Sequence, residues 1–338
     1  MTAAMNRQVR LKERPTGIPQ AKHFEIVEAL VPELAERQFL IRNEFLSVEP
    51  AMRGWVSAVT NYSTPVRIGE VMRAFAAGTV VASRHAGFVE GDKVMGMLGW
   101  QQFAVSDGTS ITRKVKETDL PLSLSLGLLG LNGVTAYFGL LDLGVPRPGD
   151  TVVVSTAAGA VGSAVGQIAK LMGCRAVGIT GGPTKMKLCR DEFGYDEVID
   201  YKADALATRL ASACPKGVNV YFDNTAGAIR DAVYAQLAIG ARVVICGTAS
   251  VASWDPPPQG PRVERHLLVK RARMSGLLIF DYAHRYEEAI DRLAHWVREG
   301  KLRYREDIAD GIEHCPGAIA ELYRGENLGK RLIRLTPQ

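Results

Sequence analysis

The pattern of hydrophobic positions changes near residue 124 of the chain. Before that point, apolar residues form short runs rich in β-branched and aromatic side chains, separated by turn signals such as Gly-Asp and Ser-Asp-Gly. These runs predict strands at residues 24–29, 38–48, 78–83, 93–97 and 101–105. The first third of the chain is therefore expected to form an irregular β domain.

After residue 124, strand-like runs alternate with segments of helical periodicity. The predicted strands are 151–155, 176–180, 197–200, 218–223 and 241–246, and the predicted helices extend to 172 and cover 183–193, 203–213 and 228–236. A proline run at 256–258 interrupts the alternation, and a strand at 273–280, helices at 285–299 and 316–324, and a strand at 330–335 follow. This alternation predicts an α/β fold with a doubly wound parallel sheet.

One uncharged stretch, residues 120–141, is long enough to span a bilayer. It contains Pro121, Asn132, Thr135 and four glycines, which favour a buried helix over a membrane span. The remaining composition is that of an ordinary globular chain of 338 residues, with 47% hydrophobic and 23% charged residues. We therefore expect no membrane partner.

Charge and cysteine usage exclude several classes of protein. The net charge is only +5, and the basic residues are scattered rather than interleaved with aromatic ones, so no nucleic-acid partner is expected. Five widely spaced cysteines without a C-x-x-C pair argue against a disulfide framework and a clustered zinc site. The basic amino terminus lacks a following apolar segment, so it is not a secretory signal. The expected location is the cytoplasm.

A dinucleotide fingerprint follows the predicted strand at 151–155. Residues 156–163 read TAAGAVGS, with Ala157 in place of the first glycine of the fingerprint. Gly159 would let the main chain approach a pyrophosphate, and Gly162 would let the helix pack close to the strand. The position of this turn at the start of a βαβ series predicts a dinucleotide site.

The end of the second strand of this series favours NADP(H) over NAD(H). A chain that binds NAD usually has an acidic residue about 20 residues past the glycines. Here the sequence is Thr180-Gly181-Gly182, and no acid occurs before Asp191. Lys185 stands just beyond, where its ammonium group could meet a 2′-phosphate.

Dispersed motifs over nearly the whole chain resemble the zinc-independent medium-chain dehydrogenase/reductase family, which includes prostaglandin (leukotriene) reductases, plant double-bond reductases and curcumin-reductase-like proteins. In the second half they are AAGAVGSAVGQIAK at 157–170, GGP at 181–183, DYK at 200–202 and YFDN at 221–224. In the first half they are SVEP at 47–50, MRG at 52–54 and IGEVMR at 68–73. Residues 132–141 and the closing glycines and lysine around Asn327 match as well.

The resemblance implies a GroES-like β-rich substrate domain at 1–124, completed by 301–338, and a Rossmann domain at 125–300. It also implies that Gly159, Ala160, Val161 and Gly162 contact the pyrophosphate, and that Gly181, Lys185 and Tyr201 surround the 2′-phosphate. Further cofactor residues by resemblance are Met52, Thr135, Asn224, Cys246, Leu277, Leu278, Ile279 and Asn327.

Zinc ligands and two tyrosines of related proteins are missing from the sequence. No cysteine precedes Cys174, and His23 and His85 stand alone, which disfavours the zinc-dependent branch of the superfamily. Where the family usually has a tyrosine after Pro50 this chain has Ala51, and Ala252 occupies the position of another tyrosine. We therefore expect a reshaped substrate pocket.

The family resemblance implies an NADPH-dependent reductase of the carbon–carbon double bond of α,β-unsaturated ketones or aldehydes. Hydride would reach the β-carbon and a proton the α-carbon. Tyr62 and the nicotinamide ribose hydroxyl are the candidate donors to the carbonyl oxygen of the substrate. A quinone reductase of the same architecture and a catalytically impaired NADPH-binding protein are the alternatives. The expected partners are a small enone, enal or quinone and, through edge-strand pairing at 273–280, a second copy of the chain.

Overall fold

The structure is a computed structural model that describes residues 5–58, 62–203, 205–251 and 258–335. The described residues form two compact units. We call Met1–Leu126 with Glu306–Gln338 the antiparallel unit, and Gly127–Arg305 the parallel unit. The sequence placed these divisions at 124 and 300. The antiparallel unit thus combines segments from both ends of the chain.

The antiparallel unit contains a two-stranded ribbon and a seven-stranded sheet. The ribbon pairs β1 (Met5–Leu11) with β2 (Phe24–Leu30). The sheet is built from β3 (Phe39–Ser47), β4 (Phe75–Ser83), β5 (Lys93–Met97), β6 (Phe103–Ser106), β7 (Ile111–Lys114), β14 (Glu306–Asp310) and β15 (Lys330–Arg334). Its strand order is β14-β15-β3-β4-β5-β7, and β6 pairs with β3. Two helices accompany it: α1 (Met52–Trp55) and α9 (Cys315–Arg324).

The parallel unit is a six-stranded sheet with the order β10-β9-β8-β11-β12-β13. Its strands are β8 (Thr151–Ser155), β9 (Arg175–Thr180), β10 (Glu197–Asp200), β11 (Val218–Asp223), β12 (Leu237–Ile245) and β13 (Arg273–Gly276). Its helices are α2 (Leu131–Phe138), α3 (Ala160–Leu171), α4 (Pro183–Asp191), α5 (Leu206–Ala213), α6 (Gly227–Tyr234), α7 (Glu264–Lys270) and α8 (Tyr286–Arg298). This strand order is the doubly wound one, so the fold-class prediction is confirmed.

The local sequence explains why these elements form. All five residues of β8 are buried, as expected for a central parallel strand covered on both faces. In α8, the buried Ala289, Ile290, Leu293 and Ala294 recur at helical spacing and form one apolar stripe. The strand order reverses between β8 and β11. In open parallel sheets, ligands bind at the carboxyl ends of the strands at such a point.

Two element predictions were wrong. The uncharged stretch 120–141 is not one helix: it forms a 3₁₀ turn at Leu122–Leu126, then α2, then a π-helical turn at Gly139–Gly144. The chain folds tightly here, since a Cβ atom on Gly133 would lie 1.8 Å from the Leu128 carbonyl oxygen. No helix in the described ranges is long and apolar enough to cross a membrane.

The strand predicted at 273–280 is shorter than expected. It ends at Gly276, and a 3₁₀ helix occupies Ile279–Arg285. The Leu277 N–H still donates to the Ile245 carbonyl at 2.9 Å, after which the Asp281 N–H turns back to the Leu278 carbonyl. This local turn ends the pairing with β12. The helix predicted at 203–213 begins at Leu206. Residue 204, residues 256 and 257 of the proline run, and Ala252 lie outside the described residues.

Candidate functional site

The turn between β8 and α3 is shaped by the absence of side chains. Thr156 has a φ of 55°, and the chain then reaches Gly159, which precedes the helix in extended conformation. A Cβ atom on Gly162 would lie 2.2 Å from the Thr156 carbonyl oxygen, and one on Gly159 would lie 2.9 Å from Thr156 Cγ2. Neither position has room for a side chain, so the glycines are required by the turn itself.

The amino terminus of α3 is left open toward a ligand. Gly159 offers no side-chain cap, and Ala160 and Val161 of the first turn are partly exposed. The first N–H groups of a helix lack partners within it, and the helix dipole is positive at this end. The turn can therefore hold a pyrophosphate.

Ala157 replaces a glycine of the fingerprint without closing the turn. Its side chain is fully buried, and a Cβ atom on Gly178 of β9 would lie 2.8 Å from the Ala157 Cβ. The glycine on the neighbouring strand thus leaves the room that the extra methyl group takes. The methyl group of Ala157 is therefore accommodated inside the sheet and does not enter the exposed part of the turn.

A second cluster lies at the carboxyl ends of β9 and β10. Thr180 and Asp200 are paired across these strands, so the residues that follow them are neighbours. A Cβ atom on Gly181 would lie 3.0 Å from both Tyr201 Cε1 and Lys202 Cε. Lys185 lies in the first turn of α4, and Tyr201 is 43% exposed. A lysine and a phenol beside a glycine, with Lys185 four residues further along the chain, suit a phosphate group.

Lys202 was missed as a site residue, although its motif was noted. The signal that could have found it is its place directly after the end of a parallel strand, beside the cofactor-discriminating turn. The nearby carboxylate of Asp200 accepts the Lys202 N–H at 2.9 Å. That local bond fixes the turn after β10.

The predicted residues of the nicotinamide end lie on successive elements of the parallel unit. Asn224 follows β11, Cys246 follows β12, and Leu277, Leu278 and Ile279 follow β13. Asn224 is tied to β8, since its Nδ2 donates to the Ser155 carbonyl at 2.7 Å. Thr135 lies in α2 and is buried.

Burial and the neighbouring Asp223 raise the pKa of the Cys246 thiol to about 12. The thiol therefore stays protonated at neutral pH. It is suited to packing rather than to nucleophilic chemistry.

The antiparallel unit holds the other predicted residues. Met52 begins α1 and is fully buried, and Asn327 is buried with its Nδ2 donating to the Gly329 carbonyl at 2.7 Å. Tyr62 is 54% exposed. Partial burial of the phenol and the nearby Glu49 carboxylate raise the pKa of Tyr62, so its hydroxyl remains protonated at neutral pH.

Long-range contacts hold the segment that contains Met52 in place. The Lys330 Nζ donates to the Ser47 hydroxyl at 2.7 Å and to Glu49 Oε1 at 2.6 Å, and this ion pair is largely buried. The Tyr323 hydroxyl donates to the Pro50 carbonyl at 2.9 Å. The Arg53 guanidinium lies over the ring of Tyr323, 4.6 Å from the ring centroid. Sequence reasoning missed Tyr323, because nothing local to helix α9 points to it.

No group of three or more His, Cys, Asp or Glu residues that could hold a metal ion occurs in the part of the chain that the structure describes.

Comparisons with known proteins place this geometry in a family. Residues 7–114 match the family model described as the N-terminal domain of oxidoreductase. Residues 160–295 match the one described as zinc-binding dehydrogenase. A putative NADP-dependent oxidoreductase of Bacillus subtilis is 43% identical over 340 residues, covering 99% of each chain.

Two further relatives are similar over their whole length. The NADPH-dependent curcumin reductase of Escherichia coli is 42% identical, covering 98% of this chain and 97% of that protein. The crystal structure of CurA from Vibrio vulnificus in complex with NADPH has a TM-score of 0.92 at 42% identity, covering 98% of this chain and 100% of that one. The chain therefore belongs to the zinc-independent medium-chain dehydrogenase/reductase family and is an oxidoreductase.

Proposed function

We propose that the chain uses NADPH to reduce the carbon–carbon double bond of an α,β-unsaturated ketone or aldehyde. The observation that carries the cofactor assignment is the packing of Tyr201 and Lys202 against Gly181, directly before the helix whose first turn contains Lys185. Relatives of the same length are named curcumin reductase and 2-alkenal reductase, which supports the reaction class.

The residues of the parallel unit divide the work of holding the dinucleotide. The turn from Gly159 to Gly162 holds the pyrophosphate through main-chain N–H groups. Lys185 and Tyr201 hold the 2′-phosphate by charge and hydrogen bond. Thr135, Asn224, Cys246 and the segment 277–279 line the nicotinamide end. Met52 and Asn327 are cofactor residues by the family resemblance alone. When bound, the cofactor supplies the hydride.

The protein then positions the enone and stabilises the negative charge that develops on its carbonyl oxygen. A phenol that stays protonated at neutral pH can donate a hydrogen bond to that oxygen. Tyr62 has this property and is exposed enough to meet a substrate. We assign Tyr62 as the donor.

The reaction is tested by following NADPH consumption against enones, enals and quinones of graded size. With NADPH deuterated at the transferred position, the product should carry deuterium on the β-carbon. In heavy water with ordinary NADPH, it should carry deuterium on the α-carbon. Activity on quinones without activity on enones would instead identify a quinone reductase. Tight NADPH binding without consumption across the panel would identify an impaired binding protein.

The cofactor assignment is tested by reversing one charge. Lys185→Glu should weaken NADPH binding at least about tenfold more than NADH binding, because repulsion replaces attraction at the 2′-phosphate. Lys187→Glu is the matched control: Lys187 lies on the same helix, but it is exposed and pairs with Asp191. Equal losses for both cofactors in Lys185→Glu would exclude Lys185 as the discriminator.

We also propose that two copies of the chain pair through β13. This strand lies at the edge of the six-stranded sheet and pairs only with β12 among the described strands. The nearby apolar side chains of Leu268, Val269 and Met274 are 79%, 53% and 42% exposed. The Leu277 N–H points to β12, so the Gly276 N–H faces the open edge, where a Cβ atom would also meet nothing within 4 Å. Sedimentation should give a dimer that Gly276→Pro converts to a monomer, since proline cannot donate to a strand ladder. A parent that sediments as a monomer would exclude the pairing.

A further inference from the structure

A buried carboxylate organises the turn between β11 and α6. Asp223 is fully buried, and its Oδ1 accepts the N–H groups of Thr225 and Ala226 at 2.9 and 2.8 Å. The same oxygen accepts the Tyr221 hydroxyl at 3.0 Å. Tyr221 is itself fully buried, and burial together with Asp223 raises its pKa well above the usual value, so it is a permanent donor. Asp223 therefore fixes the path of the main chain on both sides of Asn224.

Asn224 is held in one orientation by Ser155 of the neighbouring strand. The Asn224 N–H donates to the Ser155 hydroxyl at 2.8 Å, and its Nδ2 donates to the Ser155 carbonyl at 2.7 Å. A main-chain carbonyl can only accept a hydrogen bond, so the amide nitrogen must face Ser155 and the amide oxygen must face away. Among the described residues no donor meets that oxygen, and the side chain is partly exposed.

The proposed function already assigns Asn224 to the cofactor. We infer that Tyr221 and Asp223 are positioning residues that hold the Asn224 amide oxygen toward the nucleotide. The inference rests on the proposed function, since it needs a bound dinucleotide. An oxygen acceptor requires a donor on the ligand. In the nicotinamide half of the cofactor, the donors are the carboxamide N–H and the ribose hydroxyls.

A double-mutant cycle tests the positioning. Tyr221→Phe keeps the ring in the core but removes the hydroxyl from Asp223. It should raise the KM for NADPH about three- to tenfold, as expected for one lost hydrogen bond, while kcat changes less than about twofold. In an Asn224→Ala background, the same substitution should change the KM less than about twofold, because the residue being positioned is gone.

Tyr234→Phe is the matched control for the cycle. Tyr234 is buried in the same core cluster, but its hydroxyl contacts the Met274 sulfur rather than Asp223. It should leave the KM for NADPH unchanged in both backgrounds. An equal loss from Tyr221→Phe in the parent and in Asn224→Ala would show a general structural effect and overturn the inference.

Cofactor analogues distinguish the two donors. The 3-acetylpyridine analogue of NADPH lacks the carboxamide N–H, and an analogue with a deoxygenated nicotinamide ribose lacks a hydroxyl. The analogue that lacks the recognised donor should bind the parent and Asn224→Ala with equal affinity, whereas NADPH should prefer the parent. If both analogues keep the full preference for the parent, Asn224 contacts neither donor and the inference fails. If NADPH itself does not bind, the proposed function fails instead.

Discussion

The two units prepare their predicted site residues in different ways. In the parallel unit, the turn from Thr156 to Gly162 is shaped by seven consecutive residues, and missing side chains make the space. In the antiparallel unit, the segment around Met52 is held by Tyr323 and Lys330, which lie more than 270 residues away along the chain. A site encoded locally can be recognised in a sequence. A site encoded by distant side-chain contacts cannot.

The two units should also differ in the substitutions that they tolerate. A main-chain cradle depends on the absence of atoms, so any added side chain obstructs it. A segment held by hydrogen bonds and one ion pair can lose single contacts and keep its path. We therefore expect all-or-none responses in the phosphate turn and graded responses around Met52.

The largest effect is expected at Gly162. A side chain there would meet the Thr156 carbonyl oxygen at 2.2 Å, so Gly162→Val must displace the turn. NADPH affinity, measured by fluorescence titration, should fall at least about 100-fold, or about 2.7 kcal/mol. Gly260→Val is the control, since a Cβ atom there meets only Asp231 Oδ2, at 3.5 Å. Unchanged binding in Gly162→Val would show that the turn does not hold the cofactor.

The ion pair of Lys330 and Glu49 should give the largest effect on the stability of the protein, as distinct from its affinity for the cofactor. Both side chains are largely buried, so Lys330→Met leaves an uncompensated carboxylate and should lower the free energy of unfolding by about 3–5 kcal/mol. Removing both charges in Lys330→Met with Glu49→Leu should recover part of that loss. The control is Arg334→Met: its pair with Asp310 is exposed and screened by water, so urea unfolding should show a much smaller loss. A similar loss in both single variants would show that burial does not matter here.

These two cases show why the sequence predicted one unit better than the other. The order of strands and helices over residues 151–246 follows from hydrophobic period alone, and the glycines at 159 and 162 follow from a local turn. By contrast, the sequence missed β1, β7 and β14. β14 contains no buried residue, and in β1 the buried Val9 and Leu11 alternate over only three positions, so neither segment shows the extended alternation that predicts a strand. Tyr323 was missed because only tertiary contacts bring it to the segment around Met52, whereas Lys202 could have been found from its place directly after a parallel strand.

Alkaline pH tests the stability of the parallel unit, which contains Cys174, Cys189, Cys214 and Cys246. Burial raises the pKa of Cys189 from 9.0 to about 12 and that of Cys214 to about 11. Because the folded pKa values exceed the unfolded ones, this stabilisation is complete below about pH 9 and is lost as pH rises through the folded values.

Each such thiol should lower the free energy of unfolding by about 1.4 kcal/mol per pH unit above pH 9. Hydrogen exchange followed by mass spectrometry at pH 8 and pH 10.5 should show the loss in β9, α4 and α5. Cys189→Ala should reduce the slope with pH, whatever it does to stability at pH 8. If Cys189→Ala leaves the change of the free energy of unfolding with pH unaltered, the Cys189 thiol does not cause the loss of stability at alkaline pH.

A smaller effect is expected at Tyr62, in the antiparallel unit. Tyr62→Phe removes the proposed donor and should lower enone turnover at least about tenfold, while NADPH affinity stays nearly constant. Tyr304→Phe, at a 39% exposed tyrosine of the parallel unit, is the control and should leave turnover unchanged. Turnover within about twofold of the parent would make Tyr62 a bystander, and protonation would then come from water or a ribose hydroxyl.

The smallest effect is expected at Tyr323, where the graded response is tested directly. Tyr323→Phe keeps a ring beneath Arg53 but removes the hydroxyl that donates to the Pro50 carbonyl. Losing one partly exposed hydrogen bond costs about 0.5–1.5 kcal/mol, so the KM for an enone should rise about threefold with little change in kcat.

Tyr323→Leu removes the ring as well, and it should raise the enone KM further because the Arg53 guanidinium loses its aromatic face. The KM for NADPH should change less than about twofold in both variants, because Met52 is the one assigned cofactor residue of the segment that Tyr323 holds. Steady-state kinetics with each substrate varied in turn separates the two constants. If Tyr323→Phe raised the KM for NADPH rather than for the enone, Tyr323 would serve the cofactor. The division between a locally encoded cofactor site and a substrate segment held from a distance would then be wrong.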